Sequence, residues 1–322
     1  MTASPRFDVT VVGELNLDVI LYGLPQELPP ERELLASQLS LTLGSSSAIF
    51  AHNLAALGAH VGFISRIAND PLGEISLDRL HASGADVSMV KKVNGPTATG
   101  LTVILHHPGF RNILTYPGTM FEMCFDDLDL DYLASSRHFH LSSFFLHRAL
   151  LPRIADLFAK MKDAGLTTSL DINDDPDDRW DSGIWEVLRL VDIFFLNERE
   201  LKKLTGAADL DSGVERLAGA VPLLVVKLGA NGALLRCKGQ ELREPAVNVA
   251  VVDLVGAGDS FDAGFLRQFL QGADLPACLE YANMAGALCA TRPGGTEAFR
   301  EPEYLSSFLV RHRRLKARIE AH

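Results

Sequence analysis

Apolar positions along this chain fall into short blocks whose period switches between about two and about 3.6 residues. Phe7–Val12 is a β-rich run ending at Gly13 and predicts a first strand. Ser46–Leu57 carries apolar residues at helical spacing and stops at Gly58. Val61–Ser65 predicts a strand and Pro71–Leu80 a helix stopped near Gly84. Thr99–Leu105 and Arg111–Tyr116, joined through Pro108 and Gly109, predict a hairpin. Beyond it the alternation is regular. Strands are expected at His138–Leu141, Thr167–Ile172, Ile193–Leu196, Leu223–Lys227 and Ala233–Arg236. Helices are expected at Leu150–Ala164, Glu198–Leu204, Ala257–Leu270, Pro276–Cys289 and about Pro302–Ile319.

Strands alternating with helices imply a mostly parallel sheet covered on both faces, a three-layer α/β/α sandwich. No repeat or composition break divides the chain, so residues 1–322 are expected to form a single α/β domain. Two segments, about 14–44 and 96–118, break the alternation and read as antiparallel strands projecting from the main sheet. Ligands of open α/β sheets bind beyond the carboxyl ends of the strands, so this projection is expected to serve as a β lid.

The charge balance of 30 basic against 41 acidic residues gives −11. An acidic chain repels phosphate backbones, which argues against nucleic acid as a partner. The basic residues Arg311, Arg313, Arg314, Lys316 and Arg318 read as the solvated end of a last helix. The four cysteines, at 124, 237, 278 and 289, include no C-x-x-C pair, so free thiols in a reducing cytoplasm are expected. No apolar run reaches the ~18 residues of a membrane span, and the amino terminus has no signal-like pattern. A cytoplasmic protein without a membrane partner is the expectation.

The strongest local signal is Asp253-Leu-Val-Gly-Ala-Gly-Asp-Ser-Phe-Asp-Ala-Gly264. A β-rich run, Val247–Val252, precedes it and a helical pattern follows, so Gly256-Ala257-Gly258 falls at a strand-to-helix turn. Glycines let a ligand approach the backbone closely. The first N–H groups of a helix lack internal partners and, with the helix dipole, attract anions. Asp259 falls in that first turn, where the dipole favours its charge; this predicts an ionised carboxylate that is a weak base. Taken alone, the four residues are equally a tight turn with an Asp capping a helix. No Walker-type phosphate loop and no G-x-G-x-x-G competes for the role.

In this context the chain resembles the ribokinase-like (PfkB) carbohydrate kinases. The motif D-x-x-G-A-G-D-x-F-x-A-G is similar to that family's signature, and the likeness extends over nearly the whole sequence. Gly13–Asp18 is similar to the family's first-strand substrate segment. Gly44 through Gly58 with Val61–Gly73 resembles its N-terminal signature. Asn197-Glu198-Arg199-Glu200 resembles its N-x-x-E motif and Lys227–Gly232 its nucleotide loop. The resemblance implies an ATP-dependent transfer of a phosphoryl group to a hydroxyl of a small sugar or sugar derivative.

It also implies roles. Asp259 resembles the base, and Gly256, Ala257 and Gly258 the anion hole. Asn16 and Asp18 would face sugar hydroxyls, with Gly44, Ser45 and Ser46 beside them; the alternative for Asp18 is a turn carboxylate. Asn197 and Glu200 would organise Mg²⁺ through water, although the pair also has the spacing of a capping box. Lys227 would offer its ammonium to ATP phosphates, with Gly229, Asn231 and Gly232 shaping the nucleotide loop and Asn283 near the base. Lys227 stands where many relatives have Thr. Asp253 with the Thr291–Gly295 turn resembles a monovalent-cation (K⁺) site. Pairing of two lids into a homodimer is a further implication, since lid edges need covering.

The chain departs from the family pattern at the sugar side. Ser45 replaces a Gly, Ile49 replaces an Asn, and Leu254 replaces a Thr. Ile49 predicts a less polar pocket wall or a different substrate orientation, with Ser45 and Ser46 as replacement hydroxyls. Ser142-Ser143-Phe144-Phe145 looks more like nucleoside kinases, which keeps a nucleoside kinase of the adenosine or inosine type open. A catalytically silent sugar-binding regulator of the same fold is the other alternative. A dinucleotide oxidoreductase lacks its glycine fingerprint. The acidic stretch Asp171, Asn173, Asp174, Asp175, Asp177 and Asp178 reads as a strand end and an Asx-rich turn rather than a metal site, with Asp171 beside the substrate pocket. His140 reads as a satisfied core histidine.

Overall fold

A computed structural model describes residues 5–319, with side chains described through 312. The side chains of Arg313, Arg314, Lys316 and Arg318 lie outside the described residues. Thirteen strands form two sheets among the described residues. In chain order they are β1 Phe7–Val12, β2 Leu17–Tyr22, β3 Gln38–Leu43, β4 Val61–Ala68, β5 Asp86–Val93, β6 Leu101–His107, β7 Phe110–Tyr116, β8 Ser136–Leu141, β9 Thr167–Asp171, β10 Ile193–Asn197, β11 Leu223–Lys227, β12 Ala233–Cys237 and β13 Gln240–Glu244. The large sheet runs β13-β12-β11-β10-β9-β8-β1-β4-β5. It is parallel from β5 to β11 and closes with the antiparallel β12 and β13.

Both faces of this sheet are buried, as a parallel sheet requires. Side chains alternate across the pleat. Phe194, Leu196, Leu224 and Val226 enter one core with Leu157 and Phe158 of helix Ile154–Asp163 and Leu201 of helix Glu198–Thr205. Ile193, Phe195, Leu223 and Val225 enter the other with Phe50 of helix Ser46–Ala56 and Phe265 of helix Ala257–Leu270. That last helix is buried along most of its length and crosses helix Leu275–Cys289 closely. A Cβ on Gly264 would come within 2.7 Å of the Ala285 Cβ.

The chain winds from β1 outward to β4 and β5, then returns to the other side of β1 as β8. The order therefore reverses at β1/β8, where open α/β sheets leave a crevice. Register places the strand ends side by side: Val12 pairs with Leu141, Leu141 with Leu170, Phe195 with Asp171, and Asn197 with Lys227. Residues just past these ends thus share one rim.

The small sheet, order β3-β2-β6-β7, occupies the two segments expected to form the lid. Its strands are not all antiparallel: β2 and β6 pair in parallel, flanked by the antiparallel pairs β2–β3 and β6–β7. Asp18, Ile20 and Tyr22 share one face of β2. Ile20 and Ile104 on that face pack on Val255, the residue before Gly256.

The β-rich run Val247–Val252 is not a strand. The β12–β13 hairpin already edges the sheet, so the run finds no ladder, and Val251 and Val252 remain exposed. The structure adds β5, β13 and the short helices Ile184–Leu188 and Leu210–Leu217 to the expected elements. No described helix is long and apolar enough to cross a membrane.

Candidate active site

The turn before helix Ala257–Leu270 has the geometry its glycines suggest. Gly256 is left-handed, with φ 71°, and caps the helix without any side-chain hydrogen bond. A Cβ there would sit 2.6 Å from Gly295 Cα, so this position admits glycine alone. Ala257 N–H donates back to Leu254 O at 3.3 Å. The N–H groups of Gly258 and Asp259, still in the first turn, have no intrahelical acceptor.

Asp259 is buried at 7% exposure. Burial, reinforced by the Asp171 and Glu14 charges, raises its pKa to about 7 against the pull of Lys227 and the Ser46 hydroxyl. The expectation of a weak, fully ionised base is corrected. A dipole contribution of under about 1 kcal/mol does not offset removal of the carboxylate from water.

Lys227, at the end of β11, does not extend freely toward a nucleotide. Its Nζ lies 2.6 Å from Asp171 Oδ2 and 3.1 Å from Asp262 Oδ2, with both carboxylates about 1% exposed. These anions outweigh burial and keep the ammonium charged. It also lies beside the turn, 3.3 Å from where a Gly258 Cβ would project. Asp262 was not singled out from the sequence, where it is one variable letter of a motif. Burial and the Asp171 carboxylate bonded beside it push its pKa well up, against the pull of Lys227.

Glu14 is another residue that sequence reasoning passed over. It follows β1 and is 3% exposed. It accepts from Ser47 Oγ at 2.7 Å, Ser47 N at 3.3 Å and Ser143 Oγ at 2.7 Å, and lies 3.3 Å from His147 Nε2. Burial alone would raise its pKa; His147, Ser47 and its own backbone outweigh burial and hold it low. Its ligands lie far apart in sequence, so no local pattern marks it.

Asn16 and Asp18 are buried on the lid side. Burial and the Asp259 charge raise Asp18 to about 7, against the Thr102 hydroxyl and Arg111. Gly44 leaves room for Asp18, since a Cβ there would collide with that carboxylate. Ser45 has φ 70°, and its buried Oγ has no partner. Ile49 is 3% exposed and packs against the turn, its Cδ1 2.6 Å from where a Gly295 Cβ would lie.

On the nucleotide-loop side, Asn197 and Glu200 form a reciprocal capping box. Asn197 N donates to Glu200 Oε2 at 2.8 Å and Glu200 N to Asn197 Oδ1 at 3.0 Å. Glu200 is nonetheless buried, and desolvation with the Asp171 charge raises it to about 7. Gly229 and Asn231 lie exposed between β11 and β12, and Gly232 (φ 87°) leaves no room for a Cβ against Glu244 O. Asn283 spends its amide on Glu244 O and Pro245 O, at 3.1 and 3.2 Å, and so braces this loop.

The acidic stretch is a turn, as expected. Asp175 accepts the N–H groups of Asp177, Arg179 and Trp180, and Asp174, Asp177 and Asp178 pair with Arg199, Arg148 and Lys203. Asp171 pairs with Lys227, and Asn173 Oδ1 accepts Ser143 N–H at 2.9 Å. His140 is a core residue, bonded to Ser169 and Ser142 and stacked on Phe50. Among the described residues no cluster of three or more His, Cys, Asp or Glu could hold a metal by itself.

The architecture is thus a lidded, mostly parallel α/β sheet with a buried carboxylate in the first turn of a helix at its crevice. The chain belongs to the pfkB family of carbohydrate kinases, whose model matches residues 6–302. It is 31% identical over 258 residues to an ATP-dependent ribose-1-phosphate kinase of Halopiger xanaduensis, covering 79% of this chain and 82% of that one. It is 28% identical over 251 residues to an uncharacterised sugar kinase of Archaeoglobus fulgidus, covering 76% and 96%. The crystal structure of a putative ribokinase II from E. coli superposes with a TM-score of 0.83 at 25% identity, covering 95% of this chain and all of that one.

Proposed function

We propose that this carbohydrate kinase transfers the γ-phosphoryl group of ATP to a hydroxyl of a small sugar or sugar derivative at the Asp259 site. The observation that carries the reading is the buried Asp259 carboxylate in the first turn of a helix whose first N–H groups have no intrahelical acceptor. The substrate oxygen attacks the γ-phosphorus, the bond to the bridging oxygen breaks, ADP leaves, and the hydroxyl proton passes to Asp259. A carboxylate with a pKa of about 7 is matched to proton transfer near neutrality. The backbone of Gly256, Ala257 and Gly258 supplies the anion hole for charge spread over the phosphoryl oxygens.

Asn16 and Asp18 hold sugar hydroxyls, a carboxylate being able to accept from two neighbours at once. Gly44, Ser45 and Ser46 complete this wall, and the unpartnered Ser45 Oγ has a hydrogen bond to give. The loop of Gly229, Asn231 and Gly232, with Asn197 and with Asn283 as brace, flanks the nucleotide. Lys227 sets positive charge beside the phosphate path. The donor set suits Mg²⁺ carried by ATP: carboxylates outnumber the one ammonium, and Mg²⁺ keeps several waters while taking few protein ligands. Glu200 and Asn197 would hold it through water, and it would neutralise charge on the phosphates.

The test is ADP release from ATP across sugars, phosphosugars, sugar acids and nucleosides, beside Asp259→Asn. Release that depends on a sugar-class substrate and falls by about 10²–10⁴-fold in the variant is expected. Substrate-dependent release that survives in the variant would remove Asp259 from the reaction, and turnover confined to nucleosides would replace the acceptor.

A further inference from the structure

Helix Ser46–Ala56 starts without a cap of its own. Ser45 stands at its N-cap with φ 70°, its side chain makes no capping bond, and the first turn holds no acidic residue. The first N–H groups of a helix need acceptors from outside it. Glu14 supplies one from another element. It follows β1, where the sheet order reverses, and accepts Ser47 N–H at 3.3 Å and the Ser47 hydroxyl at 2.7 Å. Gly13 permits this approach, because a Cβ there would lie 2.0 Å from Ser47 Oγ. The same carboxylate accepts the Ser143 hydroxyl at 2.7 Å, and Ser143 gives its N–H to Asn173 Oδ1 at 2.9 Å. One side chain therefore ties the ends of β1 and β8 to the start of the helix.

Each Glu14 oxygen meets one hydroxyl, which can turn, and one N–H, which cannot. Oε1 meets Ser143 Oγ and Ser47 N; Oε2 meets Ser47 Oγ and His147 Nε2. His147 Nε2 also lies 3.0 Å from Ser142 O, which only accepts, so that nitrogen carries its hydrogen. A carboxylate satisfies all four; an amide accepts at one end only. Ser46, the residue before Ser47, turns its hydroxyl to Asp259. The lid side is tied separately: the Tyr22 hydroxyl donates to buried Asp253 at 2.8 Å, and Asp253 also accepts Val255 and Gly294 N–H at 3.1 and 2.9 Å. We propose that Glu14 is a positioning residue: it caps helix Ser46–Ala56 from outside, ties that helix start to the end of β8, and so presents the Ser46 hydroxyl to Asp259. The role at Asp259 rests on the kinase reading of the site; the external cap does not.

The experiment measures ADP release and amide hydrogen exchange in wild type, Glu14→Gln, Ser46→Ala and the double variant. Gln keeps the length of the side chain but sets its NH₂ against one of the two fixed donors. Glu14→Gln is expected to lose kcat about tenfold, as for one hydrogen bond to a charged group, with the ATP KM moving less than kcat. The double variant is expected to fall no further than the larger single loss, because both changes act through one contact. Losses that multiply would overturn the proposal, as would an unchanged kcat in Glu14→Gln. If Glu14→Gln does not fold, Ser47→Ala, which leaves the carboxylate in place, takes its position in the same cycle with the same outcomes. Amide exchange needs no turnover. It is expected to quicken over residues 44–56 in Glu14→Gln and to stay at the wild-type rate in helix Ala257–Leu270; unchanged exchange over 44–56 would overturn the cap. Local quickening in a chain that phosphorylates nothing would count against the kinase reading while upholding the cap.

Discussion

Asp259 is held at a cost, and that cost is measurable without any substrate. Its pKa stands near 7 in the folded chain against 3.8 ordinarily. An aspartate raised in this way binds its proton more tightly folded than unfolded. The resulting destabilisation is absent below the unfolded pKa, grows as pH rises, and levels off above the folded one. Three pKa units correspond to about 4 kcal/mol as a ceiling. Asn at 259 keeps the shape, carries no charge, and still accepts from Ser46. The variant is therefore expected to be more stable than wild type, by about 2 kcal/mol near pH 5.5 and about 4 kcal/mol near pH 8.

For a chain of 322 residues, unfolding entropy of about 2.1 cal/mol/K per residue makes about 4 kcal/mol worth about 6 °C in Tm. Thermal or denaturant melts of both proteins at the two pH values measure it. The direction and its growth with pH are the decisive features, because the amide also gives up the attraction of Lys227. An Asp259→Asn chain less stable than wild type at both pH values would refute the reasoning, as would a gain that does not change with pH. The same substitution is expected to lower turnover by about 10²–10⁴-fold, and this pairing of lost activity with gained stability marks a strained functional group.

Turnover should follow the same carboxylate. The log of kcat/KM is expected to fall as pH drops through about 7; a profile flat down to about pH 5 would show that another group is the base. Lys227→Met strands Asp171 and Asp262 face to face and should cost about 3–5 kcal/mol by denaturant melting. That cost shrinks as acid protonates the two carboxylates; a loss below about 1 kcal/mol would mean the triad is not buried as described. The lid's outward face, away from Asp18 and Tyr22, carries Leu39 and Leu114, 63% and 56% exposed. Light scattering is expected to give a homodimer that Leu114→Lys dissociates, and a monomeric wild type would refute it.

Much of the fold was legible because periodicity and punctuation agree. Helix Ala257–Leu270 lies where its apolar spacing and preceding glycines put it, and helix Ser46–Ala56 ends at its glycine. Val247–Val252 misled because β propensity records suitability for a pleated surface, not the presence of a free edge. The parallel β2–β6 pairing was illegible for a related reason. Residues 23–37 and the whole β4–β5 excursion separate the partners, and no local pattern carries the sense of a long-range pairing.

The site divides along the same line. Gly256, Gly258 and Asp259 were legible because a turn, a helix start and a carboxylate are consecutive in the chain. Asp262, Glu14 and Tyr22 were not, because each draws its role from a partner supplied by another element: Lys227 from β11, Ser143 and His147 from beyond β8, and Asp253 from the turn beneath the lid. Lys227 shows the limit most plainly. Its position in a nucleotide loop suggests a free cation for phosphate, yet a Lys four residues from exposed Asn231 folds inward because two carboxylates, one ending β9 and one on helix Ala257–Leu270, would otherwise be buried without a counter-charge. Strand register brings Asp171 to the rim beside Asn197 and Lys227, and helix periodicity sets Asp262 three residues after Asp259. Neither fact reads as chemistry until the sheet is assembled, and together they decide where the only ammonium in that triad can point.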